Sequence, residues 1–101
     1  MWILVMFDLP VTTKKARKDY ARFRRTLVED GFTMLQFSVY ARPSPSEENA
    51  EVHSKRVRAN LPPRGQVRII SLTDKQYARM RVFWGKKRGP TEKMPLQLEF
   101  F

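Results

Sequence analysis

Asp8 is the residue of this chain best placed to do chemistry: a lone carboxylate closing the apolar run of residues 1–7 and followed at once by Leu9 and Pro10. An apolar run of this length bounded by proline reads as a buried strand. Pro10 cannot donate a further ladder hydrogen bond, so Asp8 falls at the strand's carboxyl edge. A carboxylate there is costly without a partner; it either braces the following loop or meets a cation or a basic group. Other candidates are few. His53 is the only histidine and, on a helix beside a thin apolar stripe, reads as a packing or surface residue. Ser38 sits inside a strand pattern, and no Ser, His and acid constellation or Gly-rich phosphate loop can be assembled. Zero Cys removes thiolate zinc sites, cysteine nucleophiles and disulfides, and agrees with a reducing compartment.

One carboxylate cannot hold a catalytic metal alone, but a two-fold axis near the first strand would bring a second Asp8 from a partner chain. Facing carboxylates repel unless they share a proton or a cation. Hard Mg²⁺ or Mn²⁺, keeping most of its waters and bridging a phosphate, is the matched occupant. Such an ion polarises phosphate and supplies hydroxide for hydrolysis.

The elements that must position Asp8 follow from periodicity and punctuation. Thr12 or Thr13 can cap a helix running to about residue 30 and leaving through Gly31. Ala16, Tyr20, Phe23 and Leu27 fall on one stripe of it, so it should lie flat on a sheet. Residues 33–42 alternate apolar and polar and read as one strand, ended by Pro43 and Pro45. Ser46, followed by Glu47 and Glu48, starts a second helix whose stripe is Ala50, His53, Val57 and Leu61, broken by Pro62 and Pro63. Residues 66–73 form a third strand, 74–79 a turn or a single helical turn, and 80–84 a fourth strand.

This order predicts an α+β, ferredoxin-like split βαβ: a four-stranded antiparallel sheet with both helices on one face. The predicted organisation is a core over residues 1–85, a basic linker over 86–94 and a C-terminal strand over 95–101, in which Leu96, Leu98 and Phe100 alternate with Gln97 and Glu99. The first strand is apolar on both sides, so the face away from the helices needs a cover. A two-fold homodimer packing sheet on sheet supplies one, and the terminal strand is expected to cross to the partner chain.

Charge indicates the partner class. With 20 Lys and Arg against 10 Asp and Glu, the 101-residue chain carries a formal +10, which favours nucleic acid. The opening apolar run is too short to span a bilayer, so no membrane is expected and the chain reads as cytoplasmic. On the first helix, Lys14, Lys18 and Arg25 point away from the apolar stripe, while Arg17 and Arg24 lie on one flank. Lys86, Lys87 and Arg88 form a second basic cluster. Contact with about six phosphates would give a log affinity against log salt slope of roughly −5 on duplex DNA. Base-stacking readout of RNA is not expected, because residues 66–72 carry no aromatic ring.

The segments Met6-Phe7-Asp8-Leu9-Pro10, Gln36-Phe37-Ser38-Val39-Tyr40 and Ser71-Leu72-Thr73-Asp74-Lys75-Gln76-Tyr77, with a basic helix ending at Gly31 between the first two, resemble the CRISPR-associated protein 2 family. The phrasing through Arg79 and Met80 resembles its type II branch. That resemblance implies a ferredoxin-like homodimer that binds DNA and works with the CRISPR integrase, the first CRISPR-associated protein, in acquiring spacers. It also implies Mg²⁺-dependent (or Mn²⁺-dependent) endonuclease activity on single-stranded RNA or duplex DNA, with Asp8 as catalytic metal ligand. Phe37 and Ser38 are implied as supports of that site, and Arg17 as the arginine after the first strand. Phe7 stands where many members carry Tyr. Two alternatives stay open: a non-catalytic DNA-binding adaptor, and a toxin-like RNA interferase on the same fold.

Overall fold

The computed structural model describes residues 1–93. Its elements are β1 (Trp2–Asp8), α1 (Lys14–Glu29), β2 (Thr33–Gln36), β3 (Val39–Pro43), α2 (Glu47–Ala59), β4 (Gln66–Leu72), α3 (Asp74–Ala78), β5 (Val82–Trp84) and β6 (Lys87–Gly89). The first four strands make an antiparallel sheet in the order β2-β3-β1-β4, the α+β ferredoxin-like arrangement. Strand β1 is therefore interior, paired on both edges, with Leu4 between Ala41 and Ile70 and Asp8 opposite Gln66.

Alternation along β1 decides which side chains face which layer. Ile3, Val5 and Phe7 join Phe23 and Leu27 of α1 and Ala50 and Val57 of α2 in one buried cluster, so both helices cover the same face. Helix α1 forms because Thr13 accepts from the Ala16 amide, and it ends where Gly31 adopts φ +87°. A Cβ on Gly31 would fall 1.9 Å from an Arg42 guanidinium nitrogen, so that flexible head would have to shift and give up its bond to the Asp30 carbonyl. Burying Phe23 and Leu27 is worth about 2–3 kcal/mol each. Helix α2 begins at the Ser46 cap, with Glu47 and Glu48 in its first turn and Arg56 and Arg58 in its last.

The strand expected over 33–42 is two strands. The chain reverses at Phe37 and Ser38, where Ser38 takes φ +64°, and β2 runs back antiparallel to β3 through an irregular register between Met34 and Gln36. Apolar alternation continues on both sides of the reversal, so periodicity carried no sign of it. Strand β4 consequently completes the sheet. The expected fourth strand at 80–84 instead pairs with β6 in a separate two-stranded sheet, Trp84 opposite Lys87. Residues 87–89, expected within a linker, are that partner strand. The strand expected at 95–101 lies outside the described residues.

The second face of β1 is partly covered by its own chain. Trp2 stacks on Tyr77 of α3, with ring centroids 4.0 Å apart and planes 7° apart. Trp2, Leu4, Ala41 and Tyr77 are buried together, with Leu35, Leu72 and Met80 packed against them. A capping box between Thr73 and Gln76 starts α3 and holds Tyr77 there. Farther along the same face Met6 is half-buried and Ile70 is 45% exposed, so this end of the face is the part that remains uncovered. Among the described residues, no helix is long and apolar enough to cross a membrane.

Candidate functional site

Asp8 is exposed at the last position of β1. It shares the face of Trp2, Leu4 and Met6, while its neighbour Phe7 turns into the core. The Phe7 ring meets Phe23 edge-on at 5.2 Å, Tyr20 edge-on at 5.9 Å and Tyr40 at 5.7 Å in a stacked pose. This aromatic anchor fixes the backbone at residue 7 and so aims residue 8 the other way. Gly65, at φ +93°, approaches from the start of β4; a Cβ on it would lie 2.6 Å from the Asp8 carbonyl oxygen and 2.7 Å from a Leu9 methyl carbon. Only glycine allows β4 to begin so close to the end of β1.

Both expected supports come to this strand end. The Phe7 amide donates to the Ser38 carbonyl at 3.0 Å, so the tight turn lies one residue from Asp8. Ser38 contributes there through its backbone. Phe37 is 81% exposed, and its ring stacks on Tyr20 with centroids 6.4 Å apart.

Asp8 takes part in no ion pair among the described residues, so the loop-bracing role open to it is not filled by a salt bridge. Nor do the described residues gather three or more His, Cys, Asp or Glu into a metal-binding group. One chain thus supplies a single exposed carboxylate, a donor set that suits a Mg²⁺ ion retaining most of its water and falls short of a complete protein cage.

The basic residues separate into two kinds. Lys14, Lys18 and Arg25 are exposed on α1, opposite its buried stripe. Arg17 donates to the Val11 carbonyl at 3.1 Å, and Arg24 donates through Nε to the Tyr40 hydroxyl at 2.8 Å. Those two arginines pin the entry loop and the helix to the sheet. Lys86 lies in the turn between β5 and β6, and Lys87 and Arg88 lie on β6. All three are exposed, beside the 73% exposed Trp84 and 55% exposed Phe83.

A polar cluster between the helices was not legible as such. Asp30, just past α1, accepts from His53 Nδ1 at 2.8 Å and from Arg56 at 2.8 Å, while its carbonyl accepts from Arg42 at 2.7 Å. Because a carboxylate only accepts, Nδ1 carries the proton. Burial pushes the Asp30 carboxyl up, yet the His53 and Arg56 hydrogen bonds and charges outweigh it and hold its pKa below the ordinary value. His53 is accordingly a packing residue, as its place on the apolar stripe suggests, with a specific carboxylate partner. No spacing rule links residues 30 and 53; a histidine on a buried stripe was the available signal.

A family model described as CRISPR associated protein Cas2 matches residues 1–80. The chain is 57% identical over 101 residues to a protein of Parvibaculum lavamentivorans named CRISPR-associated endoribonuclease Cas2, covering all of both chains. It is 52% identical over 101 residues to a protein of the same name from Flavobacterium psychrophilum, covering all of this chain and 88% of that one. A third of that name, from Paracidovorax avenae, is 46% identical across all of this chain and 94% of its own.

Proposed function

Because the chain belongs to the CRISPR associated protein Cas2 family, we propose that it is a nucleic-acid-binding homodimer with Mg²⁺-dependent endoribonuclease activity at Asp8. The observation carrying the reading is the exposed carboxylate of Asp8 at the end of an otherwise apolar central strand, without an ion-pair partner among the described residues, in a chain of formal charge +10. Asp8 would hold the ion together with the Asp8 of a second copy, and the ion when bound polarises the phosphate and lowers the pKa of a coordinated water. The chain's own residues do the rest. Lys14, Lys18 and Arg25 bind backbone phosphates without reading sequence, the Phe7 cluster orients Asp8, and the Ser38 carbonyl holds the strand end in register.

The uncovered Met6 and Ile70 end of the sheet face supports the two-fold pairing, since Asp8 lies on that same face and a partner seated there would bring the two carboxylates toward each other. Replacing Asp8 with Asn tests the reading. RNA cleavage in Mg²⁺ should fall at least about 100-fold, the scale of losing a group that stabilises transition-state charge, while RNA binding persists. Cleavage at the wild-type rate would exclude Asp8 from the chemistry.

A second reading is favoured by a different observation: the basic surface extends over two elements, α1 and the β5–β6 hairpin, more than one cleavage site requires. On this reading the dimer is a DNA-binding adaptor that works with the CRISPR integrase during spacer acquisition in the cytoplasm, and cleavage is accessory. Spacer acquisition by the Asp8→Asn protein distinguishes the two. Acquisition that survives the loss of cleavage supports the adaptor; acquisition lost with it supports the nuclease.

A further inference from the structure

A cleft of about 230 Å³ opens beside the end of β1, on the far side of Leu9 from Asp8 in the chain. Pro10, Pro62, Pro63 and Tyr20 line it together with Ala16, Asp19, Lys15 and Arg64. We propose that this cleft binds a single unpaired nucleotide, the base against the proline and tyrosine side chains and the phosphate against Lys15 and Arg64.

Three properties match that ligand. Rigid side chains suit a planar base: prolines have little freedom to lose, and the Tyr20 ring is already in contact with Phe7 at 5.9 Å and Phe37 at 6.4 Å. Lys15 and Arg64 enter no ion pair among the described residues, so their charges remain available to a phosphate. Asp19 offers a carboxylate acceptor for the exocyclic amino group of a base, its own ion pair with Arg22 being long at 3.6 Å.

The cleft is also tied to the strand end. Arg64 is followed by Gly65, which packs on the Asp8 carbonyl, and Leu9 lines the cleft directly after Asp8. A nucleotide seated here would place the adjoining phosphodiester near the end of β1. The inference rests on the nucleic-acid-binding reading above, and it does not require that Asp8 cleave.

The test is an amide-resolved NMR titration of the full chain with 5′-AMP, with inorganic phosphate and ribose 5-phosphate as controls. Nucleotide should shift the amides of Ala16, Tyr20 and Gly65, and Arg64→Ala should weaken binding about tenfold, the scale of one charged hydrogen bond. Ala16→Leu, which adds bulk to the cleft lining, should abolish it; should that variant misfold, Arg64→Ala on its exposed loop carries the result. Ribose 5-phosphate binding as tightly as AMP, or shifts confined to other residues, would overturn the subsite. A salt-sensitive RNA-binding assay is run alongside. RNA binding without an AMP response at the cleft removes only the subsite, whereas loss of all RNA binding removes the functional reading beneath it.

Discussion

Asp8 and Asp30 are two carboxylates at opposite ends of the accounting. Asp8 is exposed and unpaired among the described residues, and its value lies in what it can bind. Asp30 is mostly buried, and its value is structural: His53, Arg56 and Arg42 converge on one residue between the helices. Replacing Asp30 with Asn should cost about 1–3 kcal/mol at neutral pH, because the neutral amide loses the charge that strengthens the bonds from the buried His53 ring and from Arg56. The pH dependence has a definite sign. A carboxyl whose folded pKa lies below its ordinary 3.8 contributes stability that is full above that value and is lost as pH falls through the folded pKa. Denaturant unfolding of the two proteins should therefore converge in acid below about pH 4 and diverge above it.

The strand end that presents Asp8 depends on Gly65. At φ +93°, with backbone 2.6 Å from where a Cβ would lie, Gly65→Ala should destabilise the fold by about 1–3 kcal/mol and displace the β1 terminus. Thermal unfolding reads the first effect and the RNA-cleavage rate the second. The helices and their caps were legible at this scale, because Thr13, Ser46 and Gly31 are residues whose chemistry marks helix ends and Phe23 and Leu27 recur at helical spacing. The β2–β3 reversal was not. It is made by Phe37 and Ser38 without glycine, proline or asparagine, and the alternation of Leu35 and Val39 hides the change of direction. Ser38, placed in a strand by that alternation, is a turn residue whose carbonyl accepts from the Phe7 amide of β1.

For the whole molecule, the α+β ferredoxin-like sheet and the basic excess were legible, whereas the identity of the fourth strand depended on long-range pairing that composition does not encode. The structure also narrows which charges are free for the proposed nucleic-acid contact. Arg17 and Arg24 already bond within the fold, so Lys14, Lys18 and Arg25 are the cations to remove. Replacing these three with Ala should lessen the salt slope of duplex binding by about 2.7, at about 0.9 per phosphate. An unchanged slope would move the interface to the β5–β6 hairpin. The proposed sharing of a metal by two Asp8 carboxylates would make a geometric demand on the proposed dimer: with ligand bonds of about 2.1 Å, carboxylates much more than about 8 Å apart would need a closing motion, measurable as a Mg²⁺-dependent distance between spin labels on the two protomers.

The placement of the two tryptophans gives the molecule its own optical gauge. Trp2 is buried and stacked on Tyr77, while Trp84 is 73% exposed at the hairpin; the first should emit toward the blue and resist iodide quenching, the second toward the red and quench readily. Any partner that covers the hairpin will move only the red component. A fluorescence titration of the unlabelled chain thus tells occupation of that edge apart from a change in the folded core.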